Sequence, residues 1–264
     1  MKIGVIGGGN MGFAYVQSIL NAGITNSVLV YEPFEPRRAF LSAIDGIELH
    51  SALDESLSTL DLIILAVKPQ MFSSVGNEAK SFLSTKQIAV SIMAGISIDE
   101  ISNTLGLSKV VRAMPNTPCQ LGSGVTGYFC QGISFEEKRF VESVFVTNGL
   151  SVEMDEESKL NEVTAISGSG PAYFFTIIKH MVDTGVEMGL NEDQAKQLAL
   201  GTMKGSAELV EASDKSLDEL IAAVKSKGGT TEAALNSFAD NKLNEVIGNG
   251  LKAARDRSIA LSKL

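Results

Sequence analysis

The sequence predicts an α/β fold in which residues 1–156 form a mostly parallel sheet covered by helices and residues 157–264 form an all-helical domain. Two observations predict this division. Through about residue 155, short apolar runs alternate with helical stretches, the pattern of a parallel sheet with helices on both faces. After Glu156 no convincing strand remains, and apolar residues such as Ile177, Met181 and Val182 recur at helical spacing.

The elements are placed by their apolar runs and by the residues that end them. Gly23 ends the first helix, and Ser216 with Glu219 is typical of a capping box. Thr230 or Thr231 is predicted to cap the last long helix. We expect strands over residues 2–6, 28–31, 62–67, 88–93, 110–113, 125–129 and 150–154. We expect helices over residues 11–22, 37–44, 71–82, 99–105, 135–147, 163–166, 173–188, 193–211, 217–224 and 231–261.

Composition excludes several classes of protein. The net charge of −9 argues against nucleic acid as a partner, because phosphate binding needs clustered Lys and Arg. No apolar run approaches the roughly 18 to 20 residues of a membrane span. Because the first strand begins at Lys2, we expect no cleaved signal peptide. Cys119 and Cys130 could pair, but two thiols in a reducing compartment are favoured, so we expect a cytoplasmic protein.

A glycine-rich turn directly after the first strand is the most informative feature. Gly7, Gly9 and Gly12 form a Gly-x-Gly-x-x-Gly motif between a strand and a helix. Gly7 permits the tight turn, Gly9 lets a pyrophosphate approach the backbone, and Gly12 allows close helix packing. The phosphates would lie on the helix N-terminus, which favours anions. The motif predicts a Rossmann-like dinucleotide-binding domain; a purely structural glycine turn is the alternative.

Two features of the sequence make opposite predictions about the adenosine ribose of the cofactor. Glu32 lies 20 residues after Gly12, at the end of the second strand, where a carboxylate that bonds the ribose hydroxyls favours NAD(H). Arg37 and Arg38 follow closely and could hold the 2′-phosphate of NADP(H). A solvated charged loop explains the arginines equally well. NADH and NADPH therefore both remain open.

Further strands end in unusual turns that would meet at one sheet edge. The motifs are Ala66-Val67-Lys68-Pro69, Met93-Ala94-Gly95 and Arg112-Ala113-Met114-Pro115-Asn116-Thr117-Pro118. In an open α/β sheet, ligands bind outside the carboxyl ends of the strands. Ordinary turns would explain any one of these motifs, whereas several at the same edge favour a site.

The helical domain contains two glycine-rich loops at helix starts. They are Ser167-Gly168-Ser169-Gly170-Pro171-Ala172-Tyr173 and Ser226-Lys227-Gly228-Gly229-Thr230-Thr231-Glu232. Both offer amides and hydroxyls to a small carboxylate, although capping explains either loop alone. His50 and His180, the only histidines, are expected to be surface or packing residues, and no metal-ligand spacing is present. Without a general base, reduction of a C=N bond is favoured over alcohol oxidation.

These motifs resemble, in order and over nearly the whole chain, those of the pyrroline-5-carboxylate reductases. The resemblance implies reduction of 1-pyrroline-5-carboxylate, a cyclic imino acid, to L-proline by NADPH or NADH. It also implies a dimer, or a larger homo-oligomer, built on interlocked C-terminal helices. Helices that merely cover the first domain are the alternative to this dimer.

The resemblance also implies roles for individual residues. Thr231 would hydrogen-bond the ring nitrogen as the catalytic residue. The substrate carboxylate would be held by Ser226, Gly228, Gly229 and Thr230. With Glu32 from the ribose argument, the predicted cofactor-binding residues are Gly7, Gly9, Asn10, Met11, Gly12, Glu32, Ala66, Val67, Lys68, Pro69, Met93, Ala94 and Glu157.

Some positions depart from the family pattern. Lys227 replaces a usual proline, and Ala222 and Ala223 replace polar residues. These departures leave open a nucleotide-sensing dimer without catalysis. The other alternative is a β-hydroxyacid dehydrogenase, which also has a dinucleotide domain followed by helices but would need a lysine where Phe174 stands.

Overall fold

A computed structural model describes residues 1–262, and the strands of this part of the chain form one eight-stranded sheet. The sheet order is β3-β2-β1-β4-β5-β6-β7-β8. Strands β1 to β6 pair in parallel, β7 is antiparallel to β6, and β8 is parallel to β7. The mostly parallel sheet is confirmed. The strands are β1 Ile3–Ile6, β2 Val28–Tyr31, β3 Ile47–His50, β4 Leu62–Leu65, β5 Ile88–Ser91, β6 Val110–Met114, β7 Gly124–Gln131 and β8 Gly149–Glu153.

The central strands are short apolar runs because helices cover both of their faces. Every residue of β1, β2, β4 and β5 is buried. The sequence prediction missed β3, which lies at the sheet edge and is only partly buried. Its sequence, Ile-Glu-Leu-His, alternates apolar and polar residues over only four positions, which is a weak signal.

Helices pack on the two faces of the sheet and form a core on each. One core contains Tyr15, Ile19 and Phe145, from α1 and α5. The other contains Phe72 from α3 and Ile101 from α4. The helices of this part are α1 Asn10–Asn21, α2 Glu35–Leu41, α3 Pro69–Lys80, α4 Ile98–Leu105 and α5 Phe135–Phe145.

From Glu157 to Ser262 the described chain contains helices and no strand, as predicted. The predicted helix over residues 231–261 is wrong in one respect, because two helices separated by Lys242 occupy this range. Lys242 has φ 56°, a left-handed conformation that interrupts a right-handed helix. These helices are α6 Leu160–Val163, a π-helical segment Thr164–Gly168, α7 Gly170–Glu187, α8 Glu192–Ala212, α9 Leu217–Val224, α10 Thr230–Asp240 and α11 Leu243–Leu261.

The chain divides into two compact units. The first contains Met1–Pro171 and the chain from Ala254 onward; the second is Ala172–Ala253. The predicted domain boundary after residue 156 lies upstream of this division, because α6 packs against β6 and β7. The end of α11 also belongs to the first unit, where the Ser258 hydroxyl donates to Asn161 Oδ1 at 2.9 Å. None of the helices in residues 1–262 is long and apolar enough to cross a bilayer.

Candidate functional site

The glycine turn lies between β1 and α1, where the strand order of the sheet changes direction. Gly7 has φ 105°, and a Cβ there would be 2.7 Å from the Ala66 carbonyl oxygen. A Cβ on Gly12 would be 2.0 Å from the Gly7 carbonyl oxygen. The predicted tight turn and close packing are therefore confirmed. Around the Cβ position of Gly9 no atom of the described chain lies within 4 Å, so this side of the turn is open.

The start of α1 is suited to an anion. Gly9 is the N-cap residue, and no side chain of the described residues caps the helix. The amides of Asn10, Met11 and Gly12 open the helix, where N–H groups have no acceptor within the helix itself. These amides, the helix dipole and the open side of Gly9 together favour an anion at this end of the helix.

Glu32 is bound into the glycine turn from the end of β2. Its Oε2 accepts a hydrogen bond from the Gly8 amide at 2.9 Å, and its Oε1 accepts one from the Phe34 amide at 2.9 Å. Arg37 Nε donates to the Gly8 carbonyl at 2.5 Å and Nη2 donates to the Gly9 carbonyl at 3.3 Å. The peptide groups on both sides of Gly8 are therefore held by side chains of opposite charge.

A cavity of about 250 Å³ lies beside this turn. It opens at the carboxyl ends of β1, β2 and β4, the edge where a Rossmann-like sheet binds its ligand. Its lining includes Gly7, Tyr31, Glu32, Val67 and Met71. Of the Ala66–Pro69 motif, Lys68 is the N-cap residue of α3 and Pro69 is its first residue.

The turn after β5 lies at the same edge of the sheet. Met93 is buried, and Gly95 has φ 79°, which favours glycine. A Cβ on Gly95 would be 3.4 Å from the Leu261 carbonyl oxygen, so the end of α11 packs against this turn. The predicted nicotinamide-facing residues Met93 and Ala94 therefore precede a glycine that packs against Leu261 at the end of α11.

Glu157 is hydrogen-bonded to the buried Arg112 and to the start of the helix that follows the β5 turn. Its Oε1 accepts hydrogen bonds from Arg112 Nη1 at 2.7 Å and from the Ile98 amide at 2.9 Å. Arg112 is 8% exposed and comes from β6, while Ile98 begins α4. The carboxylate thus connects the strand to the helix that follows the β5 turn.

The predicted substrate loop lies in the second unit, immediately before α10. The expected threonine cap is wrong: Gly229 is the N-cap residue, and Thr230 and Thr231 begin the helix without a side-chain cap. The Gly228 amide donates to Glu232 Oε2 at 2.7 Å, and the Gly229 amide donates to the Ser226 carbonyl at 3.0 Å. The capping box at Ser216 and Glu219, at the start of α9, is confirmed.

Comparison with known proteins identifies the family. A family model described as pyrroline-5-carboxylate reductase dimerisation matches residues 157–261, and one described as NADP oxidoreductase, coenzyme F420-dependent, matches residues 2–95. The pyrroline-5-carboxylate reductase of Pseudomonas aeruginosa is 33% identical over 99% of this chain and 97% of its own length. The chain belongs to the pyrroline-5-carboxylate reductase family.

Solved structures of this reductase family share the whole fold. The pyrroline-5-carboxylate reductase of Coxiella burnetii superposes with a TM-score of 0.93 at 31% identity, covering 100% of this chain and 99% of the other. The Plasmodium falciparum enzyme, solved with NADP bound, superposes with a TM-score of 0.88 at 32% identity, covering 99% and 98% of the two chains. The Rossmann-like N-terminal domain followed by a helical domain is therefore shown for this chain.

Two residues of the segment 112–118 have partners that sequence reasoning did not assign. Arg112 pairs with Glu157, and Asn116 Nδ2 donates to the Ser167 carbonyl at 3.3 Å. The available signal was Arg112 itself, a charged residue in an otherwise apolar strand, because a buried charge needs a partner. The partner could not be found from spacing, since 45 residues separate the pair.

His50 is paired with a carboxylate, and the pKa values of both cysteine thiols are raised. His50 Nδ1 lies 2.7 Å from Asp54 Oδ2, and its ring packs on Tyr31. Both cysteines are free thiols; burial raises the pKa of Cys119, and burial raises the pKa of Cys130 to about 12. Within residues 1–262 no group of three or more His, Cys, Asp or Glu side chains could hold a metal ion.

Proposed function

We infer that this chain reduces the C=N bond of 1-pyrroline-5-carboxylate with NADPH or NADH, giving L-proline in the last step of proline synthesis. The main support is the full-length match to this family. The open glycine turn at the sheet edge, within the residues 2–95 that match an NADP oxidoreductase family model, supports it further. A bound reduced nicotinamide would supply the hydride. The chain's own residues must then hold two ligands and exclude water between them.

The residues at the sheet edge fit the dinucleotide. The α1 amides and the open side of Gly9 would hold the pyrophosphate, since a side chain there would fill the space that the phosphates need. We propose that Ala66 to Pro69, Met93 and Ala94 flank the nicotinamide half. Glu157 would act through its bonds to Arg112 and the Ile98 amide, as a positioning residue for the β5 turn.

The substrate loop offers neutral donors. We propose that Thr231 Oγ1 hydrogen-bonds the ring nitrogen, and that Ser226 with the Thr230 and Thr231 amides holds the carboxylate. The Gly228 and Gly229 amides already have acceptors in this loop, so their role is to shape it. A Cβ on Gly229 would lie 2.3 Å from Ser226 Oγ, which shows how tightly the loop is folded.

We also propose a homodimer that works in the cytoplasm. The dimerisation family model covers residues 157–261, and the second unit exposes large apolar side chains such as Phe175 and Leu198. A monomer would leave this apolar surface in water. The two free thiols agree with a reducing compartment.

The function is tested by NAD(P)H oxidation with and without 1-pyrroline-5-carboxylate. We expect oxidation only when the imino acid is present. Thr231→Ala should lower kcat by roughly 100-fold, the usual cost of losing one positioned donor, while Thr231→Ser should retain most of the activity. Nucleotide affinity should be the same in both variants. Nucleotide binding without turnover on any cyclic imine would instead indicate a nucleotide-sensing dimer.

A further inference from the structure

We propose that Glu32 and Arg37 make this site selective for a dinucleotide whose adenosine ribose has a free 2′-hydroxyl, so that NADH is preferred over NADPH. The proposal rests on the proposed function and narrows its cofactor. It depends on how these two side chains are already bonded.

The Glu32 carboxylate is fixed at the edge of the cavity beside the glycine turn. Glu32 is 9% exposed and lines that cavity. Each of its oxygens accepts one backbone N–H, from Gly8 and from Phe34. A carboxylate has about four acceptor positions, so each oxygen can still accept a ribose hydroxyl. A 2′-phosphate at the same place would meet a fixed negative charge that cannot rotate away without breaking both bonds.

Arg37 is not available to neutralise such a phosphate. Its guanidinium donates to the Gly8 and Gly9 carbonyls. It also lies over the rings of Phe40 and Phe13, 4.6 and 5.3 Å from their centroids. Moving it to a phosphate would leave two backbone carbonyls without these donors and would remove the ring contacts.

Arg38 is engaged in the same way. Its Nη1 donates to the Glu32 carbonyl at 3.2 Å and to the Pro33 carbonyl. Both arginines that could bind the 2′-phosphate of NADPH therefore donate to backbone carbonyls instead. Glu32 is then the charged group that we expect to decide which ribose is bound.

The test is a pair of binding titrations, with NADH and with NADPH, in the absence of an imino acid. We expect NADH to bind at least about tenfold more tightly. Glu32→Ser should reduce that ratio by about tenfold or more, mainly by tightening NADPH binding. Glu32→Gln retains an acceptor and removes the charge, so it should shift the ratio the same way if the serine variant does not fold. Glu35→Gln, which removes the same charge from an exposed side chain at the start of α2, should leave the ratio unchanged.

Arg37→Leu separates the two roles of the arginine. If Arg37 holds the glycine turn, NADH and NADPH should weaken by the same factor. Tighter NADPH binding by the unmodified protein, or an Arg37→Leu variant that weakens NADPH alone, would overturn the proposal. These titrations measure nucleotide binding and not turnover. A failure of the proposed reductase activity would therefore be distinguished from a failure of the proposed NADH preference.

Discussion

The two compact units of this chain differ in where their apolar side chains lie. The first unit has a core on each face of its sheet, built from fully buried residues such as Tyr15 and Phe72. Within residues 172–253, the buried side chains are Ala195 and Ala199, and many large apolar residues, such as Phe174 and Ile247, are exposed. The first unit can therefore be stable by its own packing, whereas the second needs another surface to cover it.

The same difference is seen between the glycine turn of the first unit and the glycine-rich loop of the second, each taken by itself. At the glycine turn of the first unit, side chains and backbone are fixed by many contacts before any ligand arrives. The loop before α10 is exposed and is fixed mainly by its own short-range hydrogen bonds. We infer that nucleotide binding depends on the packing of one chain, and that the substrate loop depends on what covers the helical unit.

The largest expected effect is in the first unit, at Gly12. Gly12→Ala places a Cβ 2.0 Å from the Gly7 carbonyl oxygen, so we expect a loss of about 3 kcal/mol in the free energy of unfolding, measured in urea. Gly9→Ala is the matched control, because its Cβ would point into open space. We expect it to change stability by less than about 0.5 kcal/mol and to weaken NADH binding. Equal destabilisation by both substitutions would show that Gly9 is structural.

The next effect concerns the exposed helices of the second unit. Leu198 on α8 is 59% exposed. In the proposed dimer this side chain would be buried at the subunit interface, where a charge would be costly. Leu198→Glu should raise the dimer dissociation constant by roughly thirtyfold, or about 2 kcal/mol, in sedimentation equilibrium. Gln197→Glu adds the same charge to the neighbouring residue and should have little effect. A monomeric unmodified protein would favour the alternative in which the helices cover the first domain.

The smallest effect compares two capping boxes. Hydrogen bonds from Lys109, and then from the Ser134 amide, lower the pKa of Glu137 at the start of α5. The Ser216 amide and hydroxyl lower the pKa of Glu219 at the start of α9. A lowered folded-state pKa contributes stability above the unfolded value of about 4.3, and this contribution is lost as pH falls through the folded-state pKa.

In Glu137→Gln, the free energy of unfolding should therefore fall less between about pH 5 and pH 3 than in the unmodified protein. The difference should be less than about 1 kcal/mol. For Glu219→Gln the difference should be smaller, because that carboxylate has no lysine partner in the described structure. Urea unfolding at fixed protein concentration measures both. A larger effect from Glu219→Gln would contradict this ranking of the two capping boxes.

Sequence reasoning succeeded where the physical cause was local. The buried strands are apolar runs, and the roles of Gly7 and Gly12 follow from spacing within one turn. It failed where the cause lay elsewhere in the chain. Strand β3 depends on pairing with β2, and the end of a helix at Lys242 depends on a single residue in a left-handed conformation.

The candidate site shows the same limit. The acidic residue at the end of β2 could be predicted, but its bonds to the Gly8 and Phe34 amides could not. The pair of Arg112 and Glu157 joins distant segments, and only folding brings them together. The engaged amides of Gly228 and Gly229 were also unpredictable, because Glu232 and Ser226 had no assigned acceptor role.

The return of the last residues to the first unit has a practical consequence for dissecting the protein. Because Ser258 bonds Asn161 and the end of α11 covers the Gly95 turn, a fragment that stops at Pro171 would lack part of its own packing. The helical unit is in effect an insertion with two covalent attachments. A stand-alone fragment of the first unit would therefore need a linker in place of Ala172–Ala253, with the end of α11 retained after it.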